Sequence, residues 1–304
     1  IKKKLLDIGY NNKNLLTPSR KELNLLDAIS VRRWFEKNKP SIVILAAAKV
    51  GGILANSTYP SDFLIENLKI QMNVIESSWS TGVKRFLFLG SSCIYPKYSK
   101  QPIKEEELLS GYLEPTNESY ALAKITGIKL CSALRNQYNF DAITLMPTNL
   151  YGTGDNYDLK NSHVLPALIR KFCEAKKHNY KNVKCWGDGS ALREFLHCDD
   201  LGDACVFVLE NINSEVLNSL NKKGKRLNHI NVGTGKDLSI KNLAEIISKE
   251  VGFKGDIEWD LEKPNGTHQK KLDISLITKL GWTHKISLID GVRKTIKEFE
   301  EKEF

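Results

Sequence analysis

Three continuous apolar runs constrain this chain more than any other feature. Ser41-Ile42-Val43-Ile44-Leu45-Ala46-Ala47-Ala48, Arg85-Phe86-Leu87-Phe88-Leu89-Gly90 and Ala142-Ile143-Thr144-Leu145-Met146-Pro147 have almost no polar interruption. A strand with one wet face alternates apolar and polar residues. A run without alternation suits a strand covered on both faces, as in a parallel sheet. Helical segments fill the gaps, over residues 60–81 and 117–138, the second introduced by Pro115-Thr116-Asn117-Glu118 with Asn or Thr as N-cap. Strands alternating with long helices predict βαβ units, hence an α/β fold with a doubly wound, Rossmann-like parallel sheet.

The pattern is less complete at its start. Residues 1–10 read as the end of a helix and Asn14-Leu15-Leu16-Thr17 as a short strand. A sheet of this type opens one strand and one glycine-rich turn earlier. No G-x-x-G-x-x-G loop is present; Gly51-Gly52 and Gly233-Thr234-Gly235 come nearest, and neither has that spacing. With Ile1 first and no initiator Met, the expectation is a sequence that begins inside its first domain, its first strand and glycine-rich loop lying before Ile1. Beyond about residue 155 the alternation fades. Helices are expected near 163–177, 239–250 and 289–303, a short strand over 228–232 and a polar, lysine-rich surface loop over 213–227. The expected division is 1–155, a nucleotide-binding domain, and 156–304, a smaller mixed α/β substrate lobe with segments returning to the first domain.

Composition narrows the function. The 304 residues are 41% hydrophobic and 27% charged, with no apolar run near the roughly 20 residues of a membrane span. Lys and Arg outnumber Asp and Glu by 45 to 36. The excess is dispersed, without basic-aromatic interleaving, which points away from nucleic acid and toward solvated surface or an anionic small molecule. The six cysteines form no C-x-x-C pair and no metal spacing. This implies a reducing cytoplasm and no metal site.

The chemistry concentrates around Tyr120 and Lys124. Four residues apart, they share one helix face. There an ammonium can favour a phenolate and make the tyrosine a usable acid or base. Tyr180 and Lys184 repeat the spacing, but only the first pair follows a strand-plus-serine segment, Gly90-Ser91-Ser92-Cys93-Ile94-Tyr95-Pro96. Ser91 can hydrogen-bond the same substrate oxygen as Tyr120.

Ser91, Tyr120 and Lys124 together resemble the extended short-chain dehydrogenase/reductase superfamily. Further segments, in order, resemble its GDP-L-fucose synthase family: Leu113-Glu114-Pro115-Thr116-Asn117-Glu118, Pro147-Thr148-Asn149-Leu150-Tyr151-Gly152, Asn161-Ser162-His163-Val164 and Arg193-Glu194-Phe195-Leu196-His197. The likeness runs from about residue 15 to the C-terminus. It implies 3,5-epimerisation of GDP-4-keto-6-deoxy-D-mannose followed by NADPH-dependent reduction at C4, giving GDP-L-fucose. It further implies Cys93 as base and His163 as acid, Ser91 and Tyr120 at the C4 oxygen with Tyr120 the proton donor, and Lys124 lowering the Tyr120 pKa while holding the nicotinamide ribose.

For NADP(H), the resemblance points to Arg20 at the 2′-phosphate. Asp27 either contacts the adenine or caps the following helix. Leu89, Gly90, Ser91, Ser92, Pro147, Thr148, Asn149, Leu150 and His163 line the nicotinamide side. For the nucleotide sugar it points to Lys171, Trp186 and Arg193, with Lys270 weaker; Asn265 stands where an acidic residue is expected. It also implies a homodimer through segments 60–81 and 117–138. Lacking the glycine loop, residues 1–304 are expected to bind NADPH poorly. Two other readings share parts of the pattern. A sibling nucleotide-sugar epimerase, dehydratase or reductase shares Ser91, Tyr120 and Lys124 but has no need of Cys93 and His163. A non-catalytic nucleotide-sugar binder is the reading from another class.

Overall fold

The computed structural model describes residues 1–303 other than 160, 221–226 and 264–265, with residue 303 described in backbone only. Its first half contains helices α1 (Lys2–Asp7) and α2 (Ala28–Asn38), strand β1 (Ile42–Leu45), helices α3 (Ile53–Thr58) and α4 (Pro60–Ser80), strand β2 (Arg85–Leu89), helix α5 (Glu118–Tyr138) and strands β3 (Ala142–Pro147) and β4 (Asn149–Tyr151). The middle follows with α6 (Val164–Lys177), β5 (Asn182–Trp186), β6 (Leu192–His197), α7 (Cys198–Asn211) and α8 (Ser214–Ser219). The last part contains β7 (Ile230–Val232), β8 (Asp237–Ser239), α9 (Ile240–Val251), β9 (Asp256–Asp260), β10 (Gln269–Lys270), α10 (Ser275–Lys279) and α11 (Leu288–Glu303).

The three apolar runs become adjacent parallel strands in the order β1-β2-β3-β7. Their side chains alternate between two cores, as a period of two requires. Phe86, Phe88, Ala142 and Met146 pack with Val31 and Phe35 of α2, Val74 and Ile75 of α4, and Ile125, Ile128 and Leu134 of α5. Leu87, Leu89, Ile143 and Leu145 face the other way, onto Leu201, Ala204, Cys205 and Val208 of α7 and Ile277 of α10. Each large side chain buried here contributes about 1.5–3 kcal/mol. A third core holds the lobe, where Leu165, Ile169 and Phe172 of α6 meet Leu243 and Ile247 of α9 and Val292, Ile296 and Phe299 of α11. Beside it lie a small sheet, β10-β6-β4 with β8 on β6, and the pair β5-β9.

Two expectations are corrected, and one helix is added. Residues 14–17 form no strand: Asn12–Asn14 is a 3-10 turn and Leu16 is exposed. Among the described residues no ladder pairs this segment, and an unpaired extended stretch has nowhere to place its backbone donors and acceptors except water. Within 213–227, the stretch Ser214–Ser219 is helical, capped by Asn213, whose side chain accepts from the Val216 amide. Helix α7 went unrecognised in the sequence because its N-cap is His197, whose Nδ1 accepts from the Asp199 amide at 3.1 Å, rather than one of the usual short polar residues.

Candidate active site

The site grows from the carboxyl end of β2. Gly90 follows Leu89, and a Cβ there would stand 2.4 Å from Met146 Cε, so the chain turns in a space only glycine fits unaided. Ser91 then caps the 3-10 turn Ser92–Ile94, its Oγ accepting from the Cys93 amide at 3.5 Å. The far end of the turn is pinned by Tyr95, whose hydroxyl lies 2.5 Å from Asn231 Oδ1 and 2.6 Å from His229 Nε2. Asn231 Nδ2 donates to the carbonyls of Ile103 and Asp273, which identifies Oδ1 as the acceptor. The single Tyr95 proton therefore goes to Asn231, and His229 donates from Nε2 as the neutral tautomer. Burial agrees, pulling the His229 pKa down to about 3.

Helix α5 lays Tyr120 and Lys124 across this turn. The Lys124 ammonium donates to Leu89 O at 2.8 Å and stands 4.8 Å from the centre of the Phe88 ring and 5.8 Å from that of Tyr120. Phe63 of α4 meets the Tyr120 ring edge-on at 6.3 Å. At 4% exposure, Lys124 is pulled down to about 8 by burial, opposed by the Cys93 thiol. Burial also raises Tyr120, with Cys93 adding to the rise and the Ser91 hydroxyl opposing it. Here the structure departs from the expectation that Lys124 lowers the Tyr120 pKa: the ammonium is turned onto Leu89, and desolvation dominates the phenol. The Cys93 thiol is raised by burial and pulled back by Lys270, the Ser91 hydroxyl and Lys124.

Sequence reasoning gave Lys270 a minor part, yet its charge is among those that act on the Cys93 thiol. Strand β10 pairs with β6 so that Lys270 stands level with Arg193. Both are half-buried. Beside them lies Glu114, a role the sequence did not reveal although its segment was singled out. Its carboxylate meets the Lys97 ammonium at 3.0 Å and accepts from Thr267 at 3.3 Å. Burial works against the Glu114 charge, but these contacts more than offset it and the pKa falls. Glu194 was also missed. Fully buried, it accepts from the amides of Thr234, Gly235 and Leu272 at 2.6–2.8 Å, and its backbone carbonyl takes Thr148 Oγ1 and Asn149 Nδ2.

The other candidates are scattered around this centre. Leu89 to Ser92 and Pro147 to Leu150 follow neighbouring strands, at the carboxyl edge where open α/β sheets bind ligands. His163 occupies the N-cap position of α6 without a side-chain capping bond and is exposed as a residue; desolvation by the surrounding protein lowers its pKa while Asp155 opposes. The loop before it rests on the turn after β1, since the Gly52 amide donates to Asn161 O at 3.0 Å. Lys49, Tyr59, Asp62, Phe63 and Asn161 line a cavity of about 320 Å³ at this junction. Lys171 and Trp186 share a different cavity, of about 370 Å³, where the Lys171 ammonium stands 5.9 Å from the indole centre. Arg20 is exposed, and Asp27 caps α2 through the amides of Ile29 and Ser30. Asn265 lies outside the described residues. Tyr180 and Lys184 flank and enter β5 and share no helix.

A parallel sheet carrying serine, tyrosine and lysine at its carboxyl edge defines the class of nucleotide-dependent enzymes that work on carbonyls and alcohols. Residues 6–233 match the NAD dependent epimerase/dehydratase family, and the chain belongs to it. GDP-L-fucose synthase 1 of Arabidopsis thaliana is 52% identical over 295 residues, covering 97% of this chain and 87% of that protein. GDP-L-fucose synthase of Escherichia coli (strain K12) is 50% identical over 289 residues, covering 95% and 89%. Among solved structures, the GDP-mannoheptose C4 reductase MlghC from Campylobacter jejuni, with NADP bound, superposes with a TM-score of 0.88 at 38% identity, covering 98% and 93%. Among the described residues, no helix is long and apolar enough to cross a membrane.

Proposed function

We propose that this protein converts GDP-4-keto-6-deoxy-D-mannose to GDP-L-fucose by 3,5-epimerisation and NADPH-dependent 4-reduction. The relatives named above support the substrate and reaction. The observation that carries the reading is the Cys93 thiol sharing one enclosed site with the Ser91 hydroxyl and the Tyr120 phenol. A simple reductase needs only the last two.

The C4 ketone acidifies the C–H bonds at C3 and C5. Cys93, as thiolate, takes the proton, and the electron pair moves onto the C4 oxygen. Ser91 and Tyr120 hold that oxygen by hydrogen bonds, stabilising the enolate. His163 returns a proton to the opposite face. After both centres have inverted, Tyr120 donates its proton to the C4 oxygen as the ketone becomes an alcohol. The site fits the dinucleotide: the Lys124 ammonium has three donors and, among the described residues, one hydrogen-bond acceptor, Leu89 O, which leaves donors for a ribose hydroxyl. Bound there, NADPH supplies the reducing equivalent for C4. Arg193 and Lys270 take the diphosphate, and Lys171 with Trp186 the guanosine end. Exposed Ile65 and Met72 on α4 and Leu122 on α5 support a homodimer through these two helices.

A second reading, reduction at C4 alone, is favoured by the likeness to the C4 reductase. Turnover of the keto sugar with NADPH in deuterated water, followed by NMR, separates the two. Deuterium at C3 and C5 of GDP-L-fucose, lost in Cys93→Ser, is expected. An alcohol with no deuterium at either carbon would establish the second reading.

A further inference from the structure

Two carboxylates line the cavity of Lys171 and Trp186, and the role assigned to it uses neither. Glu174 is held by Arg170 of its own helix at 2.7 Å. Asp260 ends β9, and the alternation along β5 and β9 fixes where it points. Val183 and Cys185 are buried in the lobe core, and Ile257 and Trp259 pack against it. Lys184, Trp186, Glu258 and Asp260 therefore share the opposite face. Asn182 Nδ2 donates to Glu258 Oε1 at 2.6 Å across that face. Trp186 and Asp260 are register partners, so the carboxylate lies beside the indole, and both line the cavity. Among the described residues Asp260 makes one ion pair, with the Lys184 ammonium at 3.4 Å, and that lysine side chain is 64% exposed. An ion pair so open to water is worth little and yields to a better-matched partner.

We propose that Asp260 selects the base of the nucleotide sugar: its carboxylate accepts from N1–H and the 2-amino group of a guanine stacked on Trp186. This deepens the nucleotide-sugar reading and rests on it. Stacking on the indole cannot choose among bases, since every base has a flat face. The edge turned to Asp260 can. Guanine carries two adjacent donors there, which match the two oxygens of one carboxylate. Adenine has an acceptor at N1, and uracil has one N–H between two carbonyls, so either sets lone pairs against the charge. The Lys171 ammonium has three donors and gives one to Lys184 O at 2.8 Å; guanine O6 suits another.

The test compares GDP with inosine diphosphate, which keeps N1–H and O6 but has no 2-amino group. Binding of each to the full chain is measured by isothermal titration calorimetry. The parent is expected to prefer GDP by about tenfold or more, the scale of a hydrogen bond to a charged group. In Asp260→Ala the ratio of the two affinities is expected to fall to near one. Damage to the fold would weaken both nucleotides alike and leave the ratio standing, so the ratio reports base selection. Asp260→Asn, of the same shape but with a single acceptor oxygen, is expected to lose most of the preference as well. A parent that binds the two nucleotides equally, or an Asp260→Ala variant that keeps the parent's ratio, would overturn the proposal. Its failure is separable from that of the function. If the parent makes GDP-L-fucose while Asp260→Ala keeps the ratio, the function stands and the role of Asp260 falls. If the ratio collapses in Asp260→Ala but the parent leaves the keto sugar unchanged, base selection stands and the function falls.

Discussion

Two regions of the molecule to which the proposal assigns substrate differ in kind. Around Cys93, Tyr120 and Lys124 the groups are packed against the main sheet, Lys124 is fixed to Leu89 O at 2.8 Å, and all three are shifted in pKa mainly by burial. Around Lys171 and Trp186 the walls are open. The indole is 45% exposed, and a second ammonium, Lys263, approaches it at 5.7 Å. Proton transfer needs groups whose pKa values are displaced and whose geometry is preset, which a dry, pinned site supplies. Holding a nucleotide needs only flat apolar surface and mobile cations. The chemical site is thus expected to control turnover and the outer cavity affinity.

The largest effect that would break this division comes from Tyr120→Phe. Loss of the proposed proton donor should lower kcat for reduction by about 10³-fold with little change in KM, within the range of general acid catalysis. A loss under tenfold would remove Tyr120 from the mechanism. A smaller effect sharpens the other half. Trp186→Ala should raise KM about tenfold and leave kcat near the parent value, as expected for one aromatic surface of about 1.4 kcal/mol. A fall in kcat instead would mean that the outer cavity also sets the geometry of the sugar.

The smallest and most diagnostic effect is in pH. His163 lies below its ordinary value and Cys93 above its own. Between the two, the pair holds one proton in all. The thiolate-imidazolium form is then a constant minor fraction of that population, so epimerisation by the free enzyme should run on a plateau. Both groups hold protons only on an acid limb that lies below the ordinary imidazole range, and neither does only on an alkaline limb above the ordinary thiol range; the rate falls on each. A single ascending limb across this range would exclude His163 as the acid.

Much of this was legible before the fold was known. Runs such as Arg85–Leu89 carry their strand identity in composition, and the four-residue spacing of Tyr120 and Lys124 places them on one face of any helix. Segments 163–177, 239–250 and 289–303 all carry helices close to those bounds, α6, α9 and α11. Glu114 and Glu194 were visible only as letters within motifs, because the donors that define their roles come from segments distant in the chain. Lys270 was undervalued for the same reason: its register beside Arg193 is set by a strand pairing that nothing near it in sequence announces. The expected strand at 14–17 failed because a strand is defined by its partner, and local apolar character does not supply one.

By itself, then, the sequence determined the alternation of buried strands and long helices, the family, and the presence of serine, cysteine, tyrosine and lysine at the end of one strand and on one helix. These follow from spacing along the chain, and helix and strand periods are local. Only the tertiary structure decided that Lys270 stands level with Arg193, that Lys124 is turned onto Leu89, and that Lys171 and Trp186 occupy a separate cavity. Those outcomes depend on strand register and on which groups lose water together. Both are properties of the packed molecule that no stretch of chain carries alone.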